Sequence, residues 1–138
     1  MKCYVTSRFN NAITHKSIIL SLCDAVDAAG HTSVSFIRDV EKFDPHHFST
    51  QQQVWSAALA LLRECDCLLI DVSDAPSGGR NVEVGMGYAL NMPIYVIVKN
   101  GLDYKPFYDG VASKVIRYDT YEDVARELAT TRTKVEQP

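Results

Sequence analysis

No run in the 138-residue chain approaches the roughly 18 apolar residues of a membrane-spanning helix. The opening MKCYVTSRFN also lacks the apolar core of a secretory signal. A cytoplasmic protein is therefore expected. Basic residues are in slight deficit, 14 against 17 acidic, and the net charge of −3 argues against a nucleic-acid-binding surface while leaving room for a local basic pocket. Cysteine is sparse: Cys3, Cys23, Cys65 and Cys67 all lie in apolar or strand-like surroundings. Cys65 and Cys67 form a CxC, but no second pair stands at zinc-site spacing. They read as reduced core thiols, and neither a metal nor an organic cofactor is expected. Internal repeats and low-complexity tracts are missing too. The length suits one domain, expected over residues 1–131, followed by a loose tail at 132–138.

What is present is organised around Asp66 to Leu90. Cys67 to Val72 is a short β-branched apolar run, the pattern of a strand buried on both faces. SDAPSGG follows, a cluster of turn formers, and then Val82, Met86, Ala89 and Leu90 recur at helical spacing. Strand, glycine-bearing loop and helix build ligand sites in open α/β sheets, and the free N–H groups there favour an anion. Glu83 is expected in the first turn of that helix. An acid at that place complements the helix dipole, and the same dipole would keep it ionised, as a carboxylate nucleophile requires.

The remaining elements follow from periodicity. Lys2 to Thr6 reads as a first strand, and Ile19, Leu22, Cys23, Val26 and Ala29 trace a helix face that Gly30 stops. His31 to Ile37 reads as a second strand, and RDVEKFDPHHFST as a long loop of the kind that forms lids. Ser49 or Thr50 can cap a helix whose buried stripe is Val54, Ala58, Leu61 and Leu62. PIYVIV from Pro93 and Lys114 to Tyr118 are further strands, separated by a loop or short helix. A last helix begins after Thr120, with Tyr121, Val124 and Leu128 on its inner face. Strands alternating with helices imply a flavodoxin-like, doubly wound, five-stranded parallel sheet with helices on both faces. Its crevice would gather the loops Thr6 to Asn11, Ser73 to Arg80 and Lys99 to Lys105.

Ser77 to Gly85, SGGRNVEVG, stands after a strand that ends in an acidic residue and before a Pro-led strand. The pattern S-x-G-x-x-x-E-x-G in this setting resembles the nucleoside 2-deoxyribosyltransferase family. It is similar above all to the branch of nucleoside 5′-monophosphate N-glycosidases, the 2′-deoxynucleoside 5′-phosphate N-hydrolases and CMP hydrolases. The resemblance implies that Glu83 is the nucleophile that attacks the anomeric carbon. A carboxylate beneath the sugar stabilises the oxocarbenium-like state or traps it as a glycosyl-enzyme. Water then releases the sugar phosphate, whereas in a transferase a second base accepts the sugar. Ser77 stands where transferases carry Asp facing a free 5′-hydroxyl, and a serine can donate to phosphate without repelling it. The bland alternative for Ser77 is a turn residue.

Ser7 matches a serine of the hydrolases' phosphate site, and Arg8 stands beside the position of the family's arginine. Gly79 and Asn81 fall within the motif and are counted with the phosphate site. In the family a partner subunit completes the active site with the loop after strand four. Lys105 or Asn100 would be that contribution here, which implies a homodimer around a small nucleotide substrate. The sequence departs from the family on the helix before strand three, where Trp55 is the nearest match to an expected acid. Trp55 is either core or a stacking platform for a base. Asp71, near the sugar, and Asp74, near the rim, are candidate substitutes, Asp71 being counted as catalytic with Glu83. His46 and His47 read as lid or solvated residues. Three rivals remain at this level: a deoxyribosyltransferase on free nucleosides, a nucleotide-binding module without turnover, and a flavodoxin-like domain that binds some other phosphate.

Overall fold

The structure is a computed structural model that describes residues 1–7, 13–74 and 77–131. Arg8, part of the SDAPSGG turn and the 132–138 tail lie outside the described residues.

Among the described residues five strands form one parallel sheet: β1 (Lys2–Thr6), β2 (Thr32–Val34), β3 (Cys67–Asp71), β4 (Ile94–Lys99) and β5 (Lys114–Tyr118). Their order is β2-β1-β3-β4-β5, the doubly wound arrangement expected from the alternation. Helices α1 (Ile13–Ala28) and α4 (Tyr121–Ala129) cover one face, and α2 (Gln51–Arg63) and α3 (Gly78–Ala89) the other. Strand parity sorts the core into two layers. Cys3, Val5, Cys67, Leu69, Tyr95 and Ile97 pack against α1 and α4. Tyr4, Leu68, Ile70, Val72, Ile94, Val96 and Val98 pack beneath α2 and α3. Cys3, Cys23 and Cys67 are buried, and all four cysteines are free thiols.

Local signals set the element ends. Gly30 adopts φ +88° after α1, a left-handed stop that a Cβ would strain. Thr50 and Gln53 form a reciprocal capping box at the start of α2. Thr120 and Asp123 do the same for α4.

Two expectations require correction. The second strand ends at Val34, because Ser35 instead caps a short π-helix, Phe36–Val40. Its hydroxyl accepts from the Arg38 N–H at 3.2 Å, while the Asp39 carboxylate accepts the Ser35 N–H at 2.9 Å. These local bonds compete with extension of the ladder. Lys42 and Phe43 then take φ +53° and +59°, left-handed backbone that costs non-glycine residues roughly 1–2 kcal/mol each. Secondly, Gly78 and Gly79 are the first residues of α3, not part of its preceding loop. Glu83 therefore stands one turn deeper than the first-turn position, and the helix end is not what holds its charge.

Candidate active site

The carboxyl ends of β1 and β3 and the second turn of α3 converge on Glu83. Tyr4 and Thr6 alternate along β1, so both hydroxyls point to the α3 face. Tyr4 donates a short hydrogen bond to Glu83 Oε2, and Thr6 Oγ1 donates to Oε1 at 2.8 Å. Both carboxylate oxygens are thus aimed and held. Burial nevertheless pushes the half-buried Glu83 carboxyl up to about 7, with the two hydroxyls and the Arg80 charge pulling the other way and the Glu41 charge adding to the rise. A dipole-ionised acid was expected; the structure instead poises this group near neutrality.

Glu83 lies in a cleft of about 210 Å³. Ser7, Ser77 and Gly79 contribute polar and backbone groups, and Phe36, Val54 and Trp55 an apolar wall. Ser77 is the N-cap of α3, and its Oγ accepts the Arg80 N–H at 3.4 Å. An accepting hydroxyl keeps its own proton free to donate, so capping and anion binding are compatible roles. Gly79 lies under Trp55, whose ring would be 3.7 Å from an added Cβ. The half-buried Trp55 is at once part of the core and a wall of the cleft.

Other expected site residues lie elsewhere. The Asp71 side chain points to the opposite face of the sheet from Glu83. Its Oδ2 accepts from Tyr118 OH at 2.8 Å, and its Oδ1 accepts both the Ser73 N–H and hydroxyl, at 3.0 and 2.6 Å. The reason is parity: Leu68, Ile70 and Val72 face α3, so Asp71 cannot. Asn81 accepts from Tyr108 OH at 2.7 Å and ties α3 to a 3₁₀ turn, Pro106–Gly110. Lys105 and Asn100 are exposed and lie outside the Glu83 cleft of their own chain. Lys105 and Asp74 line a second hollow of about 500 Å³ beyond β3 and β4. His46 and His47 are exposed, with the His47 ring edge-on to Phe48. Among the described residues no three His, Cys, Asp or Glu side chains gather as a metal site.

Three residues escaped the sequence reading. Tyr4 and Thr6 looked like ordinary strand residues, although their i, i+2 spacing at a strand end was a usable signal. Arg80 looked like a loop cation. It is 2% exposed, lines both hollows, and donates from Nη1 to the Asp71 carbonyl at 2.6 Å. Its i, i+3 relation to Glu83 places both on one face of α3.

Fold and cleft define a flavodoxin-like α/β domain with one oriented carboxylate in the crevice between β1 and β3. The narrower assignment comes from the chain itself, because the nucleoside 2-deoxyribosyltransferase family model matches residues 6–131. The protein belongs to that family. Similar solved structures include the CMP N-glycosidase BcmB of Clostridium botulinum, at 15% identity and TM-score 0.67, covering 95% of this chain and 100% of that one. A 2-deoxyribosyltransferase from Bacillus psychrosaccharolyticus is 20% identical, with TM-score 0.70 over 91% of this chain and 90% of its own. BlsM, known from a solution structure, is 15% identical at TM-score 0.72, covering 93% and 86%. No curated protein matches the chain.

Proposed function

We propose that the protein is an N-glycosidase of nucleoside 5′-monophosphates that releases free base and (deoxy)ribose 5-phosphate. The observation that carries this reading is the Glu83 carboxylate, held by Tyr4 and Thr6 on the floor of a cleft that also contains Ser7 and Ser77. Glu83 attacks C1′ as the C–N bond breaks, and water then releases the sugar. Ser7, the Ser77 hydroxyl and the first N–H groups of α3 receive the phosphate, with the buried Arg80 charge behind them. A carboxylate at position 77 would oppose that phosphate; serine does not.

The working unit is a cytoplasmic homodimer in which the loop Asn100 to Lys105 reaches the partner's cleft. Supporting this are Val82 and Tyr88 on α3 and Phe107 in the adjoining 3₁₀ turn, which are 43%, 59% and 53% exposed. A partner's surface would cover such exposed apolar side chains.

The test is a panel of ribo- and deoxyribonucleoside monophosphates and their free nucleosides, assayed for released base. Unfilled buried donors cost about 1–3 kcal/mol each, so the nucleoside should lose at least about a hundredfold in kcat/KM. Preference for the free nucleoside would instead return the transferase reading. Binding without release across the panel would leave a nucleotide-binding module.

A further inference from the structure

The Glu83 cleft has two unlike ends. Ser7, Ser77 and Gly79 make the polar end, which the phosphate occupies in the reading above, with Glu83 beneath the sugar. A base joined to C1′ then lies against the wall that remains, built by the β2–α2 segment and α2. Phe36, Ile37, Val54 and Trp55 make that wall apolar, and among the described residues Glu41 is the one acid on it. Apolar side chains accept any flat ring, whereas a single polar group among them fixes which edge of the ring is welcome.

The fold fixes the backbone of Glu41 and leaves its side chain unused. Its N–H closes the π-helix onto the Phe36 carbonyl at 3.0 Å, and the left-handed Lys42 and Phe43 follow at once. Phe36 stacks on Phe48 with ring centroids 6.0 Å apart, and Lys16 Nζ lies 4.5 Å over the Phe43 ring. Yet among the described residues nothing donates a hydrogen bond to the half-buried Glu41 carboxylate, and no ion pair reaches it. A braced acceptor of this kind is available to a ligand.

We infer that Glu41 reads the base and selects one that carries an exocyclic amino group, against uracil and hypoxanthine. The inference rests on the glycosidase reading and adds to it the class of base that the site takes. A carboxylate only accepts hydrogen bonds. Cytosine N4 and adenine N6 donate, whereas the oxo group that replaces them in uracil and hypoxanthine is itself an acceptor. An oxo oxygen facing Glu41 forfeits the hydrogen bond and sets two negative atoms against each other. Guanine offers two adjacent donors, N1–H and the 2-amino group, which the two carboxylate oxygens can accept together. Selection thus works on the edge of the base, and the apolar wall takes its faces.

The setting of Glu41 agrees with this role. Glu83 and Tyr4 both feel its charge, which puts it on the nucleophile's side of the cleft, where C1′ and its base are held. Burial raises its affinity for a proton, His47 lowers it and Asp44 raises it again. Selectivity is therefore best read in mildly alkaline solution, where the carboxylate is ionised. The hydroxyls of Tyr4 and Thr6 are committed to Glu83, so neither competes with a base for Glu41.

The test uses nucleotide pairs that differ at one exocyclic group: CMP and UMP, AMP and IMP, GMP and IMP, with their 2′-deoxy counterparts. Wild type and Glu41→Gln are assayed for released base at about pH 8. The best wild-type substrate should carry the amino group and exceed its partner at least about tenfold in kcat/KM, and Glu41→Gln should lower that ratio at least about tenfold. A side-chain amide donates as well as accepts, so part of the fall should be a gain on an oxo base, which a merely structural role would not produce. A wild-type ratio near one, a preference for the oxo base, or a ratio that Glu41→Gln leaves in place would overturn the inference and leave the glycosidase reading intact. So would an effect that follows the 2′-hydroxyl, because Glu41 would then be a sugar contact. Titration of the same pairs into Glu83→Gln, expected to bind without cleaving, reads the selectivity of an intact Glu41 even where Glu41→Gln fails to fold. If wild type releases no base from any nucleotide, the glycosidase reading ends. Amino-selective binding in that titration would then uphold the base reading alone, and equal affinities would end it too.

Discussion

At the residue scale, Glu83 couples chemistry to stability through one proton. Its carboxyl binds that proton more tightly in the folded chain, up to about 7 against an ordinary 4.5. Between those values the folded state keeps a proton that the unfolded chain has lost, so the group's contribution to stability declines as pH rises across the window. Glu83→Gln removes the ionisation. It should abolish base release while leaving substrate affinity within roughly tenfold, and should raise the melting temperature more at pH 8 than at pH 4. Loss of turnover with a melting temperature unchanged at both pH values would separate the two effects. The attacking form is the anion, so turnover should climb with pH through about 7. The Tyr4 hydroxyl favours that anion, and Tyr4→Phe should move this acidic limb to higher pH. A limb that stays in place, measured as kcat against pH, would mean that Tyr4 does not set the titration.

At the scale of elements, Asp71 shows how a strand assigns work by parity. It ends β3 on the α1/α4 side, where Tyr118 of β5 and Ser73 bond its carboxylate. The Ser73 hydroxyl in turn accepts the Lys99 N–H of β4 at 2.9 Å. The network ties the carboxyl ends of three strands and so supports the loops that border the cleft. Asp71→Ala removes the shorter partner of the buried Tyr118 hydroxyl, leaving the Ser73 hydroxyl at 3.3 Å, and should cost about 1–3 kcal/mol of stability. The folded variant should keep most of its turnover. Denaturant unfolding together with kcat checks this, and loss of turnover at full stability would restore Asp71 to the catalytic role first expected of it. Glycine matters similarly on α3. A Cβ at Gly87 would approach Leu68 and Met92 to 3.3 Å, so the glycine lets α3 lie close on β3.

At the scale of the whole molecule, the open question is what faces the cleft from outside. Lys105→Ala and Glu83→Gln are each expected to be inactive alone. Mixed dimers should regain activity, because one of the two clefts then has both an intact glutamate and an intact loop from its partner. Subunit exchange followed by assay reads this directly. A fully active monomer in light scattering would rule out the shared site.

The sequence by itself determined the order of elements, and through it the parallel sheet, because burial leaves a period of 2 or 3.6 that needs no knowledge of partners. It also placed Glu83 on the right helix, though one turn too early, since the turn formers before it and the apolar spacing after it are local. Only the tertiary structure decided what Glu83 touches: Tyr4 lies 79 residues away, and its hydroxyl meets the carboxylate only through the register of β1 with β3 and the seating of α3. The same holds for Asp71, whose side was set by strand phase, and for Arg80, whose burial depends on the Asp71 carbonyl beneath it. The turn that follows β2 was illegible for another reason. A π-helix and two left-handed residues carry no periodic signal, and their cost is met by packing from distant parts of the chain. Periodicity reports which faces are buried. Which polar groups meet there is settled by the packing of segments far apart in sequence.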